Sequence, residues 1–196
     1  MASLLNDIND DELATLIEKY GRPKPNEFTT DFLDFECALV KRTESKGRLH
    51  DITCFIRQDD GNYVVIQKPQ YARTGIYRAP SGGASVGELL EDAAIREMHE
   101  ETGLIVQLTH FILDLRLNVV CKDRTIPWRS FVFLAKPVDG EMKPVDTREI
   151  FEVTTMTREQ LEGEVSQLMD DSGWGGFKYR AFLTREFFRR LDELNI

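Results

Sequence analysis

The stretch GGASVGELLEDAAIREMHEETGL, residues 82–104, limits what this chain can fold into more than any other. Gly82 is followed after five residues by Glu88, and after seven more by Arg96-Glu97-Met98-His99-Glu100-Glu101-Thr102-Gly103-Leu104. The spacing predicts a helix over residues 89–102, with Leu90, Ala94 and Met98 as its apolar stripe. Glu97, Glu100 and Glu101 are related by i+3 and i+4, so they share the face beside that stripe. Such a helix is anchored by its apolar side and brings three carboxylates to the edge of the core, facing a cleft. Gly103 supplies the C-terminal stop. Gly82, Gly83 and Gly87 let the preceding loop fold tightly enough for backbone to approach a phosphate or a metal.

Charged helix faces are ordinarily just solvated, but two energies oppose that reading here. Like charges at i, i+4 cost about 0.2–0.5 kcal/mol per pair. Acids in a last helical turn oppose the helix dipole by about 0.3–1 kcal/mol each. A divalent cation removes both penalties, and clustered carboxylate oxygens suit Mg²⁺ or Mn²⁺, which keep part of their water shell and bind substrate phosphates. Arg96 can pair with Glu88 or Glu100 and hold a carboxylate in its ligating rotamer. His99 falls on the opposite, exposed side of the wheel.

Length and charge bound the remaining choices. The 196 residues suffice for one domain with a sizeable core, or one domain with a small appendage. A formal net charge of -9 argues against a surface that coats nucleic acid, so no nucleic-acid partner is expected. Cys37, Cys54 and Cys121 are widely spaced and show no zinc-like pattern, so all three are expected as free thiols. The N-terminus has no basic leader, and no segment reaches membrane-spanning length. The expected compartment is a reducing cytoplasm, with no membrane partner.

Along the chain, residues 1–34 read as a helical appendage and residues 35–196 as the main domain. Asn9 or Asp10 can cap a helix through Tyr20, ended by Gly21 and the Pro23/Pro25 pair. Residues 36–42, 51–57 and 63–68 read as strands, with a hairpin turn signal at Asp59-Asp60-Gly61-Asn62. Further strands are expected at 104–108, 112–120, 130–135 and 149–153, with a turn at Val138-Asp139-Gly140. Thr157 and Gln160 have capping-box form, opening a helix toward Met169. A loop over 170–176 leads to a final helix from about Tyr179. Mixed strands around one central helix, followed by terminal helices, predict an α+β domain with helices on the sheet faces.

The motif fills every position of the pattern G-x5-E-x7-R-E-U-x-E-E-x-G-U, U being aliphatic, and so resembles the Nudix hydrolase family. With a fixed residue matching by luck about one time in fifteen, chance agreement falls below about one in a million. The resemblance implies an α/β/α sandwich with a mixed sheet and a loop-helix-loop motif. It also implies divalent-metal-dependent hydrolysis of a nucleoside diphosphate linked to another moiety. Carried over, Glu97, Glu100 and Glu101 become ligands of Mg²⁺ or Mn²⁺, joined by the Ser81 carbonyl. Glu97 or Glu101 also stands near the attacking water, and Arg96 with Glu88 becomes the supporting ion pair. Residues 60–73 and 77–83 are similar to the ADP-ribose pyrophosphatase branch, where a Gln-Tyr-x-Arg segment leads to a Leu-Pro-Ala-Gly-Gly-like approach. This chain has Ala79 for Leu, Ser81 for Ala, and Ser85 where many relatives carry glutamate. These departures loosen the tie to ADP-ribose and leave the hydrolytic motif intact.

Within that resemblance Arg73 and Arg78 are candidates for binding the substrate's phosphates, and Glu149 for general base, with Asp146 and Glu152 as rivals. Tyr71, Tyr77, Trp174 or Phe177 would stack on a base, or pack in the core. A homodimer is expected from the branch. Two other classes compete: a non-catalytic Nudix-fold sensor of nucleotide sugars, and an isomerase-like enzyme acting on an isoprenoid diphosphate.

Overall fold

The computed structural model describes residues 8–196. The N-terminal expectations for residues 1–7 fall outside the described residues. Helix α1 (Asp10–Tyr20) starts where Asn9 Oδ1 accepts the Asp11 N–H at 2.9 Å. It stops at Gly21, whose φ of +88° favours glycine. Strand β1 (Lys24–Asp31) follows, and this strand was not anticipated. The two prolines that end α1 sit at its start, where an edge strand tolerates them.

Residues 36–42 do not form the expected strand; they lie within helix α2 (Asp34–Ser45). A short apolar run cannot be assigned by periodicity alone. The deciding contacts are local and distant together. The Glu36 carboxylate accepts the Leu33 N–H at 3.0 Å, reaching back over the first turn as a capping acid does. The same carboxylate accepts the amides of Gly175 and Gly176 at 3.1 and 2.9 Å.

Strands β2 (His50–Arg57), β3 (Tyr63–Gln67) and the two-residue β4 (Ser81–Gly82) lead to α3 (Leu90–Thr102). Then come β5 (Leu104–Val120), β6 (Thr125–Gly140) and β7 (Glu152–Met156). The two strands expected at 104–108 and 112–120 are one strand. Bulges between Leu108 and His110 and between Phe111 and Leu113 absorb the change of phase that suggested a break. Val138-Asp139-Gly140 is likewise not a turn but the end of β6, where Gly140 pairs with Leu104. The last strand begins at Glu152, which leaves Glu149 in the loop before it. Helix α4 (Arg158–Gln160), opened by the expected Thr157/Gln160 capping box, passes through a π-helical turn (Leu161–Val165) into α5 (Ser166–Asp171). The final helix α6 (Gly175–Leu194) begins earlier than Tyr179, its first amides being those that Glu36 caps.

The strands form one mixed sheet in the order β1-β5-β6-β2-β3-β7, with β4 paired to β2. Alternation along β2 shows how its two faces are filled. Phe55 points to one side and stacks on Phe187 of α6 at 3.8 Å between centroids. Ile52, Cys54 and Ile56 point to the other, against Ala93, Ala94 and Met98 of α3 and Leu16 and Tyr20 of α1. Two cores separated by one sheet make an α/β/α sandwich, the expected class.

The expectation of three free thiols is corrected. Cys37 and Cys121 form a disulfide, with Cα atoms 6.0 Å apart, and only Cys54 is free and buried. The cause is topological. Strand β1 runs parallel to β5 as far as Asp31 beside Val120, so the start of α2 arrives next to the residue that follows β5. No helix among the described residues is long and apolar enough to cross a membrane.

Candidate active site

Helix α3 is held at both ends by other elements. Its first amide, of Leu90, is capped by the Glu12 carboxylate of α1 at 2.5 Å, and Glu91 accepts from Lys19 and Tyr20, each at 2.6 Å. At the other end Gly103 adopts φ +76°, and a Cβ there would lie 2.3 Å from the Glu141 carbonyl, so only glycine fits. The unsatisfied carbonyls of the last turn accept backbone amides from the following loop. Lys143 N–H reaches Thr102 O at 2.9 Å, and those of Val145 and Asp146 reach Glu100 O at 3.3 and 3.4 Å. This docking folds residues 145–150 over the acidic face and encloses a cleft of about 610 Å³ lined by Glu97, Glu100, Glu101, Asp146 and Glu149.

The three glutamates of α3 differ in their surroundings. Glu101 is buried; one oxygen accepts the Ser81 N–H at 2.8 Å, and the other lies 3.1 Å from Lys68 Nζ and 3.7 Å from Arg78. Glu97 lies under the loop, accepting from Arg96 at 3.0 Å and from the Gly83 N–H at 3.3 Å. Burial raises its pKa above the usual carboxylate range. Glu100 is half exposed and 3.3 Å from Arg96.

Arg96 works as a clamp. Its Nε and one terminal nitrogen each donate to Glu88 at 2.8 Å, and the latter nitrogen also donates to the Gly83 carbonyl at 3.1 Å. The guanidinium holds the Glu88 carboxyl down at about 2, helped by the Ser85 amide. The loop that begins at Gly82 is thereby tied to the helix it leads into.

Other expected residues are placed less uniformly. Ser81 lies on β4, and its Oγ accepts from Arg78 at 2.8 Å. Arg78 is largely buried and also donates to Tyr71 Oη at 3.1 Å. Arg73 stands apart from this group, with φ +63° and its guanidinium 6.0 Å from the Phe151 ring centroid. Glu149 is exposed on the cleft's outer lip, 3.7 Å from the same Lys68 ammonium that holds Glu101. Asp146 is engaged by Arg148, and Glu152 accepts from Tyr77 Oη at 2.7 Å. Tyr71, Trp174 and Phe177 pack on one another, so the core reading holds for these three.

Several contributing residues lay beyond the reach of sequence reasoning. Lys68 ends an expected strand and carried no signal beyond its charge. Arg180 of α6 donates to Asp51 at 2.8 Å, to Thr53 Oγ1 at 2.8 Å and to Ser81 Oγ at 3.0 Å. Behind it Tyr179 donates to Ser130 Oγ, which donates to Asp51. A buried polar chain therefore runs from the last helix, through the sheet, to the strand that precedes Gly82. The faint signal was a charge beside apolar positions on α6.

Buried His50 supports the same loop by accepting the Ala84 N–H through Nε2 at 3.2 Å, which requires a neutral ring. Burial lowers its pKa from 6.5 to about 4. Below pH 6.5 the unfolded chain therefore binds a proton that the folded chain refuses, and stability falls as pH drops from 6.5 toward 4. Between pH 7 and pH 5 the loss from this group is expected to be about 2 kcal/mol. Urea unfolding of wild type and His50→Gln at both pH values checks it; parallel pH profiles would refute the assignment.

Among the described residues no three acidic or histidine side chains already converge on one point; each glutamate is turned to a cation or an amide instead. The donor set nevertheless fits a hard divalent ion: three carboxylates on one helix face, close to β4, whose Ser81 amide donates to Glu101. Gly82 lets the Glu97 carboxylate lie against the turn, since a Cβ there would lie 1.9 Å from Glu97 Cδ.

The NUDIX domain profile matches residues 47–172. A Bacillus subtilis protein described as an uncharacterized Nudix hydrolase, YvcI, is 32% identical over 99 residues, covering 47% of this chain and 58% of its own. An ADP-ribose pyrophosphatase of Methanocaldococcus jannaschii is 29% identical over 98 residues, covering 46% of this chain and 53% of its own. The chain thus spans little more than half the length of these relatives. Among solved structures, the MutT protein from Methanosarcina mazei Go1 aligns with a TM-score of 0.48 and 17% identity, over 76% of this chain and 96% of that one.

Proposed function

Because this chain belongs to the NUDIX domain family, we propose that it is a divalent-metal-dependent pyrophosphohydrolase. Its substrate is a nucleoside diphosphate joined to a further moiety, with ADP-ribose and nucleotide sugars as the leading class. The observation that carries the reading is the cleft in which Glu97, Glu100 and Glu101 face Glu149 across a loop docked on their own helix. Support for ADP-ribose comes from the described activity of the M. jannaschii relative and from the similarity over residues 60–83.

Glu97, Glu100, Glu101 and the Ser81 carbonyl would hold Mg²⁺ or Mn²⁺. When bound there, such an ion lowers the pKa of water and neutralises charge on the phosphoryl oxygens. The chain's own groups do the rest. Glu101 has its position set by the Ser81 amide and Lys68, with the Arg78 guanidinium 3.7 Å away. Arg96 keeps Glu97 and Glu100 pointed to one side while Glu88 neutralises the guanidinium. Glu149, exposed and on a loop, is free to take a proton from water as it attacks phosphorus in line, with Glu97 or Glu101 serving if it does not. Arg78 and Lys68 supply positive charge beside the cleft, and Arg78 is the better placed of the two arginines proposed for phosphate binding.

The test is product analysis on a panel of ADP-ribose, nucleotide sugars and isoprenoid diphosphates, with the nucleoside monophosphate and sugar phosphate that hydrolysis releases separated by chromatography or read through an added phosphomonoesterase. Turnover of a nucleoside diphosphate derivative with Mg²⁺ or Mn²⁺, abolished by EDTA and restored by added metal, is the expected result. Tight binding without turnover would replace the enzyme by a sensor, and rearrangement of an isoprenoid diphosphate would replace it by an isomerase.

A further inference from the structure

On the far side of Glu97 from the acidic cleft lies a second cavity, of about 390 Å³, lined by Arg42, Lys46, Arg48, Gly83, Arg96 and Glu97 among others. Its charge is opposite to that of the chain, which has 34 acidic against 25 basic side chains. In so acidic a protein most cations find carboxylates, as Lys41 finds Asp123 and Arg124 finds Glu44 on the same helix. Yet among the described residues no carboxylate lies within ion-pair distance of Arg42, Lys46 or Arg48. The dipole of α2 favours Arg42 and Lys46 at its C-terminal end. It does not account for Arg48, which lies beyond the helix. The Arg48 guanidinium is half-buried and pressed on Gly83 so closely that a Cβ there would lie 1.6 Å from its terminal nitrogen. Holding a half-buried guanidinium against Gly83 with no carboxylate partner among the described residues has a desolvation cost that a bound anion would offset.

We propose that this cavity is a phosphate-binding site, formed by Arg42, Lys46 and Arg48 and separated from the hydrolytic cleft only by Glu97. Three cations converging from a helix end and the connection after it suit a phosphoryl group, whose oxygens accept several charged donors at once. Arg42 and Lys46 precede residue 47, where the family match begins, so this site is assembled partly from outside the shared domain. It stands on the cavity and its cations, and does not require that the chain hydrolyse anything.

The probe is inorganic pyrophosphate, titrated calorimetrically into wild type, Arg42→Ala/Lys46→Ala and Arg48→Gln at low salt. EDTA is present throughout, so that metal-bridged binding at the glutamates makes no contribution. Wild type is expected to bind, with affinity falling as salt rises, and each variant to bind at least about tenfold more weakly. Absence of binding in wild type, or equal affinity in all three proteins, would overturn the proposal. A second arm adds pyrophosphate to the hydrolysis assay with Mg²⁺ in excess. Competition with substrate, lost in the double variant, identifies the phosphate as one carried by the substrate. Binding without competition identifies a free phosphate ligand, and the site stands in both cases.

Discussion

Glu97→Gln is expected to lower kcat by about 10²–10⁴-fold while leaving the protein folded and at least as stable as wild type. The two effects have opposite signs for one reason. Glu97 is partly buried under the Gly82–Gly83 turn, and that burial disfavours its charge. Glutamine keeps the shape, retains an oxygen for the Gly83 amide and removes the desolvated charge, so folding loses nothing. Arg96 keeps its two bonds to Glu88. What disappears is the carboxylate proposed to hold the cation beside the scissile diphosphate. Steady-state kinetics at saturating Mg²⁺, paired with urea unfolding, reads both quantities. Activity near wild type would remove Glu97 from the machinery, and a large loss of stability would make its role structural.

Asp51→Ala is expected to cost about 3–5 kcal/mol of folding free energy, the usual penalty for breaking a buried ion pair by deleting one partner. Among the described residues Asp51 is the one carboxylate paired with Arg180, and it also accepts from Ser130. Its removal strands a largely buried guanidinium in the sheet's interior. Arg180→Met added to Asp51→Ala is expected to recover part of that cost, since the pair is then replaced and not merely broken. Chemical denaturation of the two single variants and the double variant measures the coupling. A single-variant cost below about 1 kcal/mol would show that water reaches and compensates Arg180.

These expectations mark the boundary of what the residues alone disclose. Glu97, Glu100 and Glu101 could be placed together because a helix fixes neighbours three and four positions apart without help from the rest of the chain. The stop at Gly103 follows from the same local geometry, whereas the residues left Glu88 and Glu100 open as partners of Arg96 and the Glu88 pairing came with the family resemblance. Arg180, Lys68, His50 and Asp51 reach the site through strand order, which no local spacing encodes. Residues 36–42 were misread for a related cause: their helix is settled partly by the amides of Gly175 and Gly176. The Cys37–Cys121 disulfide likewise depends on β1 lying parallel to β5, a pairing between segments far apart in the chain.

The dependence of the early chain on α6 has a consequence for biosynthesis. All the glutamates of the acidic helix, and the loop before it, leave the ribosome before α6 does. Until α6 docks, Asp51 lacks the guanidinium that neutralises it, and Glu36 lacks the two amides it caps. A nascent chain halted before Gly175 thus carries two carboxylates with only part of their partners, Asp51 keeping Ser130 and Glu36 keeping the Leu33 amide. Helix α6 is thus the latch on which closure of both buried carboxylate sites depends.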